Sequence, residues 1–425
     1  MAIWKLATGD VVRPYERLSW PQTIAIGMQH VVAMFGATFL VPLLTGMSPA
    51  TTLLFSGIGT LVFMIITRNQ VPSYLGSSFA FIAPVTAAKT SGGPAAAFGA
   101  IFVAGVMLFL VGLVINAVGA TWINRLMPPA VTGVVVALIG LNLASVAIKN
   151  LQTQSAYGLI TILAIVIIAA ATRGFAQRIS IFLGALVGWV LAGFTGGIDA
   201  KATQAVADAK WFGLPEFGSP SFSLATAVTM IPVVIVLIAE NTGHVKAVGT
   251  MTGENLDREL GRAFMGDGVA TTVAGLFGGS GTTTYAENIG VMAATKVYST
   301  AVYVVASITA IGLGLCPKFG AVILTMPLGV LGGVTVILYG MIGVLGARIW
   351  KDNQVDLHQG KTSMPIAIGL ILAIGDFTLT IGEFTFAGIA TATVSAIVTY
   401  HLMHALSRDG ATTREEDKVA SPASA

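Results

Sequence analysis

The sequence carries very little charge. Only 10% of its 425 residues are charged, whereas soluble domains carry about 25%. With 55% hydrophobic residues and a mean hydropathy of +0.85, the composition is typical of an integral membrane protein. The net charge of +3 is spread along the chain and gives no indication of a nucleic-acid-binding surface.

Cysteine is almost absent as well. The single cysteine, Cys316, excludes an intramolecular disulfide and a cysteine-cluster metal site, and no metal site is predicted. The sequence has no His-Glu-x-x-His motif, phosphate-binding loop or nucleophile elbow, so a membrane enzyme has little support. Acidic residues are missing between Glu16 and Asp199, so acids within apolar segments occur only in the second half of the chain.

Long apolar runs predict twelve ordinary membrane spans, since a spanning helix needs roughly 20 apolar residues. These runs cover about residues 23–44, 50–67, 95–117, 129–148, 157–172, 180–194, 224–245, 264–276, 300–315, 327–345, 364–379 and 384–402. Two further segments, 75–89 and 279–296, are too short or too polar for ordinary helices. Counting both as crossings gives fourteen segments.

The two irregular segments occupy matching positions, because each is third in a set of seven. An odd number of spans inverts the second set relative to the first, and paired interrupted segments are typical of a transporter binding site between inverted repeats. We therefore predict an all-α polytopic membrane protein in which segments 3 and 10 begin as short extended strands and continue as half-helices. Its predicted parts are a cytoplasmic N-terminal segment (1–21), two inverted repeats (22–199 and 222–406), an extracytoplasmic loop (200–221) and a disordered cytoplasmic tail (407–425).

The placement of basic residues supports this count. With both termini in the cytoplasm, most Lys and Arg residues fall on cytoplasmic loops or tails, as the positive-inside rule expects. Removing either irregular segment would invert the loops after it and spoil the bias. The basic residues on outer loops are Lys89, Lys149, Lys201, Lys210 and Lys318.

The polar stretch at 278–290, GGSGTTTYAENIG, indicates half of a binding site. Irregular backbone at membrane depth is tolerated only where it is buried in protein or lines a watery cavity, and a lone carboxylate there marks a functional site. Glu287 is placed to contact a ligand at the start of the half-helix, or to cap that helix. Tyr285 is a wall, a hydroxyl donor or a packing residue. In the first repeat, Phe79 can stack on a flat ligand or serve as an ordinary core residue.

Further acids lie within or beside the spans of the second repeat. Glu240 and His244 are four residues apart on one helix face, where a buried carboxylate and histidine suit proton coupling; a purely structural pair is the alternative. Asp267 is expected to hold a neighbouring hydroxyl or amide, His30 to brace the site, and Asp376 to be structural.

The predicted groups suggest a flat, polar ligand. Two carboxylates accept hydrogen bonds from N–H groups, two half-helix N-termini donate to carbonyls, and an aromatic face allows stacking. A small planar heterocycle with alternating N–H and C=O groups, such as a nucleobase, matches this set. Amino acids and weak acids stay open on these residues alone.

Three motifs resemble those of the nucleobase–ascorbate transporter family, also called nucleobase:cation symporter-2, and most closely those of its bacterial uracil and pyrimidine permeases. The motifs are PSYLGSS at 72–78, AENTGHVKAV at 239–248 and TTYAENIGVM at 283–292, and the resemblance extends over nearly the whole chain. It implies fourteen spans divided into a core domain and a gate domain, and a homodimer within the lipid bilayer.

The resemblance implies uracil held between segments 3, 8 and 10. Glu240 and Glu287 would accept hydrogen bonds from the ring N–H groups. Backbone amides near Phe79 and Tyr285 would donate to its carbonyls, and His244 would support Glu240 in proton coupling. Four residues are expected to support the site from behind: His30, Ser78, Asp267 and Asn288.

Two neighbouring residues bear on the substrate. Ala286 stands where the uracil permease pattern has glycine, and its methyl group tightens the predicted pocket, which leaves the choice among uracil, thymine and xanthine open. Glu287 stands where purine- and ascorbate-transporting relatives tend to have glutamine, which favours a pyrimidine.

The expected function is therefore proton-coupled import of uracil, with thymine as a further candidate, across a bacterial inner membrane by alternating access. No cofactor is expected apart from the coupling proton. A xanthine or other purine permease of the same fold is the main alternative, and a channel or membrane sensor is a second one.

Overall fold

Helices form most of the computed structural model, which describes residues 4–382, 384–386 and 388–407. The helices are α1 (Trp20–Ala33), α2 (Phe35–Thr45), α3 (Pro49–Ile66), α4 (Ile82–Val118), α5 (Thr121–Leu126), α6 (Pro129–Asn142), α7 (Ala144–Thr153), α8 (Ser155–Ala171), α9 (Phe175–Arg178), α10 (Ser180–Phe194), α11 (Ala200–Asp208), α12 (Leu224–Thr229), α13 (Ile231–Thr252), α14 (Leu260–Phe277), α15 (Ala286–Thr295), α16 (Thr300–Gly314), α17 (Pro317–Leu324), α18 (Leu328–Asp352), α19 (Gly360–Ile374) and α20 (Gly388–Leu406). The strands are β1 (Lys5–Leu6), β2 (Glu16–Arg17), β3 (Leu75–Ser77), β4 (Thr282–Thr284), β5 (Leu379–Ile381) and β6 (Phe384–Phe386). The predicted tail lies outside the described residues except for Ser407.

Seven helical spans in the described part of the chain are long and apolar enough to cross a membrane. An eighth is formed if α16 and α17, which meet at 81°, are taken together. Three shorter apolar helices are α8, α10 and α19. Helix α4 is kinked at Gly93, where φ is 75°. The part before the kink is the half-helix of segment 3, and the part after it is segment 4. Each of the fourteen predicted segments contains helical structure, and the all-α architecture is confirmed.

The predicted limits of the last two segments are wrong. The apolar pattern extends segment 13 to residue 379 and begins segment 14 at 384, but α19 ends at Ile374 and α20 begins at Gly388. Between them, β5 and β6 pair antiparallel as a short hairpin. A right-handed helix cannot continue through Asp376, whose φ is +48°.

Strands β3 and β4 meet inside the protein and confirm the predicted extended starts of segments 3 and 10. They pair antiparallel with Gly76 opposite Thr283, and every residue of both strands is buried. Pairing satisfies backbone groups that would otherwise be costly at membrane depth. Gly76 is required here, because a Cβ atom would lie 2.3 Å from the ring of Tyr285.

The membrane-spanning helices pack as two groups. The core group contains α1–α4 and α12–α16, and its most extensive contacts join α14 to α3 and α4, and α16 to α3. The gate group contains α6–α8, α10 and α18–α20, within which α18 packs against α6, α7 and α8. Contacts between the groups are sparser and involve mainly α13 with α6 and α20. The paired strands pack on α3 and α14 and therefore belong to the core group.

Residues 4–18 form a strap over the loop that follows α15. Within the strap, β1 and β2 pair in parallel. Val12 bonds to the loop through both backbone groups: its N–H donates to the Lys296 carbonyl (3.0 Å), and its carbonyl accepts from the Tyr298 N–H (2.8 Å). The strap thereby holds the end of the half-helix whose first turn contains Glu287.

This attachment predicts different effects for two adjacent valines. Val12 is 2% exposed and packs with Val297 and Val302, whereas Val11 is 46% exposed. Val12→Asp is expected to destabilise the protein by about 2 kcal/mol or more, because it buries a carboxylate without a partner. Val11→Asp is the matched control and should change stability little. Thermal unfolding in detergent measures both, and equal melting temperatures for the two variants would contradict a structural role for the strap.

Candidate functional site

Ser78 joins the two irregular segments to α13. Its hydroxyl oxygen accepts a hydrogen bond from the Ala80 N–H (3.2 Å), which caps the 3₁₀ turn that follows β3, and its hydroxyl donates to Glu240 Oε2 (3.0 Å). The Ser78 N–H donates to the Gly281 carbonyl (3.1 Å). One serine therefore contacts both irregular segments and the carboxylate predicted to bind the ligand.

Asn241 is the centre of a buried hydrogen-bond network. Its amide nitrogen donates to Asp267 Oδ2 (2.6 Å), and its amide oxygen accepts from the hydroxyls of Thr283 and Thr284 (2.8 Å each). Asp267, which is fully buried, also accepts from the Thr282 hydroxyl (2.8 Å). The network attaches β4 to α13 and α14. Sequence reasoning missed Asn241, although its position beside Glu240 in the middle of a span was a signal.

His244 lies one turn after Glu240, but within the described part of the chain no hydrogen bond or ion pair joins these two side chains. Instead, His244 Nδ1 lies 2.9 Å from Thr284 Oγ1. Because the Thr284 hydroxyl donates its single proton to Asn241, His244 Nδ1 has to carry a hydrogen and donate it. In the neutral ring, Nε2 is then the nitrogen that can accept a proton.

Tyr285 is fixed inside the core group by its hydroxyl. That group donates to the Ser77 carbonyl (2.8 Å), so the Thr38 hydroxyl, 3.0 Å away, donates to it. The side chain is 3% exposed. Since the hydroxyl is occupied on both sides, Tyr285 provides a rigid buried wall.

Phe79 lies where the two helix groups meet. Its ring contacts the ring of Tyr339 on α18 edge-on, with centroids 5.7 Å apart. The Tyr339 hydroxyl is buried and has no hydrogen-bond partner among the residues described. A buried hydroxyl normally finds a partner, so Tyr339 brings an unused polar group from the gate group to the site. Sequence reasoning missed it, because a tyrosine in an apolar span resembles a packing residue.

Glu287 lies in the first turn of α15 and is partly buried. No described side chain donates a hydrogen bond to its carboxylate. Glu287 lines a cavity of 290 Å³, the inner cavity, together with Val32, Ala33, Gly290 and Leu338. The carboxylate therefore has unused acceptor positions facing a cavity between the two groups.

Two of the predicted supporting residues are buried without partners in the described part of the chain. His30 is fully buried, with its ring centroid 4.8 Å from that of Tyr303, and neither of its ring nitrogens is hydrogen-bonded. Asn288 is 1% exposed, and neither amide atom is hydrogen-bonded. Packing alone does not explain polar atoms in such positions.

Segments 3, 8 and 10 thus bring complementary groups to one region. Ser78 bonds to Glu240 at the end of β3, and Glu287 follows β4, the strand that pairs with β3. Each half-helix adds backbone N–H groups at its start, which have no partner within the helix. Among the residues described, no three His, Cys, Asp or Glu side chains are grouped so that they could hold a metal ion.

Inverted helical repeats with interrupted segments at their interface define a multi-pass membrane transporter. A family model described as the Permease family matches residues 21–382. RutG of Escherichia coli (strain K12), named as a pyrimidine permease, is 48% identical over 412 residues, which are 93% of this chain and 93% of RutG. The uracil permease of Bacillus subtilis (strain 168) is 37% identical over 437 residues, covering 97% of this chain and 98% of that protein. The chain therefore belongs to the nucleobase:cation symporter-2 family, whose members are permeases and not enzymes.

Solved structures share the fold at low sequence identity. The transmembrane domain of the cyanobacterial bicarbonate transporter BicA matches with a TM-score of 0.61 at 16% identity, over 88% of this chain and 96% of that one. SLC26A9 matches with a TM-score of 0.63 at 9% identity over 90% of this chain, which spans 64% of the SLC26A9 chain. At these identities the likeness concerns the fold alone, and it confirms the inverted-repeat architecture.

The central network predicts that Asn241→Ala is strongly destabilising. The change leaves Asp267 and two threonine hydroxyls without a shared partner, at an expected cost of about 2–4 kcal/mol. Asn353→Ala, which removes one exposed hydrogen bond to the Ile349 carbonyl, is the matched control and should cost less than about 1 kcal/mol. Thermal unfolding in detergent compares them. An Asn241→Ala protein as stable as the control would show that the network does not hold β4 in place.

Proposed function

We propose that the protein is a proton-coupled symporter that imports uracil, with thymine as a further candidate substrate. The observation that carries the proposal is the position of Glu240 and Glu287 relative to the starts of two half-helices: Glu240 is bonded to Ser78, the residue before Phe79 at the first start, and Glu287 lies in the first turn of the second. The carboxylates accept hydrogen bonds from the two ring N–H groups of uracil. Backbone N–H groups at the half-helix starts donate to its carbonyls, and the Phe79 ring stacks on its face. The names of the similar permeases support a pyrimidine substrate.

Proton coupling is assigned to Glu240 and His244. Glu240 accepts one hydrogen bond, from Ser78, and otherwise faces the site, so it can hold a proton while substrate binds. His244 donates through Nδ1 to Thr284, which directs its basic Nε2 away from the network as a second proton acceptor. The two residues act in sequence in this proposal, since no hydrogen bond joins their side chains within the part of the chain that the structure describes.

Alternating access is supported by cavities at opposite ends of the boundary between the groups. The inner cavity follows α15 toward the strap, beyond Glu287. A larger cavity of 830 Å³, the outer cavity, follows α4 in the other direction and is lined by both groups. Motion of the core group against the gate group would open the central site to each cavity in turn. Substrate and proton enter from the outer side and leave on the inner side.

The membrane setting follows from the same proposal. The protein lies in a bacterial inner membrane with both termini in the cytoplasm, as the distribution of basic residues favours. It functions as a homodimer, with lipid around it and the proton as its only coupling ion. Neither a cofactor nor a nucleic acid takes part.

The first test is uptake of radiolabelled uracil into proteoliposomes, with and without an inward proton gradient. Uptake is expected to depend on the gradient and to be blocked by thymine but not by xanthine. Block by xanthine would instead identify a purine permease of the same fold. Uptake that ignores the gradient would indicate a channel, and no uptake of any base would reject the proposed substrate class.

Glu240→Gln separates coupling from substrate exchange. Glutamine cannot release a proton, but its amide oxygen still accepts a hydrogen bond, so uphill uptake should be lost while exchange of uracil across the membrane persists. Glu254→Gln, which alters an exposed acid after α13, is the matched control and should transport normally. Full uphill uptake by Glu240→Gln would remove this residue from the coupling mechanism.

A further inference from the structure

The outer cavity has one ionisable residue in its wall. The core group contributes residues 82–84, 86–88 and 90–92 of α4 and residues around α12, while the gate group contributes residues 142, 143, 145 and 146 and the region near Asp376. Most of the lining is apolar or carries hydroxyls, and Asp376 is its single charged side chain among the described residues. A volume of 830 Å³ lies within the range typical of small-molecule sites.

Asp376 is held rigidly by its neighbours. The amide nitrogen of Asn142 donates to Asp376 Oδ1 (3.1 Å) and to the Ala373 carbonyl (2.9 Å). Gly388 allows this arrangement, since a Cβ atom there would lie 2.4 Å from Asp376 Oδ1. Asp376 also keeps a left-handed backbone, with φ at +48°, which a residue other than glycine adopts at a cost. The carboxylate is therefore preorganised at the cavity wall.

Each residue of this hydrogen-bonded pair has one acceptor atom that the described residues leave unused. Asp376 is exposed to the cavity, and its second carboxylate oxygen receives no hydrogen bond from the described residues. Asn142 is 4% exposed and lines the same cavity, and its amide oxygen likewise receives none. The orientation of the amide is determined, because its nitrogen faces two acceptors and has to be the donor. The opposite wall supplies hydroxyl-bearing residues, including Thr86 and Thr226.

These features select one class of ligand. A carboxylate next to an amide oxygen accepts hydrogen bonds from a ring that carries N–H groups. Anions are disfavoured, because the described lining residues include the negative charge of Asp376 and no cation. A metal cation is disfavoured as well. Such a cation needs oxygen ligands around it, but the Asn142 N–H group is directed at the Asp376 carboxylate.

We propose that Asp376 and Asn142 form an outer subsite, where a neutral base with N–H groups binds before it reaches the central site. The proposal rests on the function proposed above, and it adds a second recognition step at the gate group. The transported base would meet one carboxylate in the cavity and two at the centre. An anionic analogue would be rejected at the first of these.

Uptake kinetics test the outer subsite in right-side-out membrane vesicles. Asp376→Asn is expected to raise the KM for uracil about tenfold, the effect of losing one charge-assisted hydrogen bond, with little change in maximal rate. The variant should also discriminate less between uracil and the anionic analogue uracil-5-carboxylate, because the negative charge that repels the anion is removed. A merely structural role of Asp376 would not change this discrimination. Asp208→Asn removes an exposed charge from α11, outside the cavity, and is the matched control. An unchanged KM, or a loss of maximal rate alone, would overturn the proposal.

Thiol protection tests binding directly, and it does not depend on transport or on the folding of the Asp376 variant. Thr86→Cys, in a Cys316→Ser background, places a thiol on the core wall of the outer cavity. With Glu287→Ala added to weaken the central site, uracil should still slow labelling by a membrane-impermeant thiol reagent. Labelling unaffected by uracil would reject the outer subsite. Wild-type protein that takes up no uracil would reject the proposed function instead.

Discussion

The antiparallel pairing of β3 with β4 is the constraint on which the rest of the structure depends. Two segments of the chain have to abandon helical hydrogen bonding at membrane depth so that two half-helices can start there, and each exposed backbone group would be costly in lipid. Pairing Leu75–Ser77 with Thr282–Thr284 satisfies these groups between the two segments. The side chains around the pair are then small or hydroxyl-bearing, because Gly76 has to leave room for Tyr285 and the threonines have to bond to Asn241.

The hydrogen-bond network also explains why acids occur in only one repeat. A continuous series of hydrogen bonds joins Asp267, Asn241, Thr284 and His244. Asn241 donates to Asp267, so its amide oxygen has to accept from Thr284, and Thr284 in turn has to accept from His244. Such a series needs one fixed acceptor at its start, which the buried carboxylate of Asp267 supplies. The first repeat needs no acid, because Ser78 reaches across to Glu240 from its capping position. One repeat thus supplies backbone geometry, and the other supplies the acids and the histidine to which the proposed proton coupling is assigned.

Much of the architecture could be predicted from sequence, because the length of apolar runs and the polarity of segments 3 and 10 are local properties of the chain. Those properties also located Glu240 and Glu287, since a carboxylate in an apolar segment is conspicuous. The partners of these residues could not be predicted in the same way. The bond between His244 and Thr284 joins residues 40 positions apart, and helical spacing alone pairs His244 with Glu240 instead. The end of α19 was missed because a left-handed aspartate breaks a segment that is otherwise apolar.

The contribution of the gate group was the least visible in the sequence, for a physical reason. Its polar residues act singly: Tyr339 faces Phe79 from an apolar helix, and Asn142 holds a carboxylate through its amide. An isolated tyrosine or asparagine in a span costs little free energy and forms no recognisable motif. The core group, in contrast, has to concentrate polar residues around its broken helices. Polar groups at the boundary between the two helix groups are therefore not confined to the conspicuous central motifs. In the function proposed above, a base that crosses this boundary would meet acceptors on both sides of it, and the gate group would be able to reject a molecule before the core group binds it.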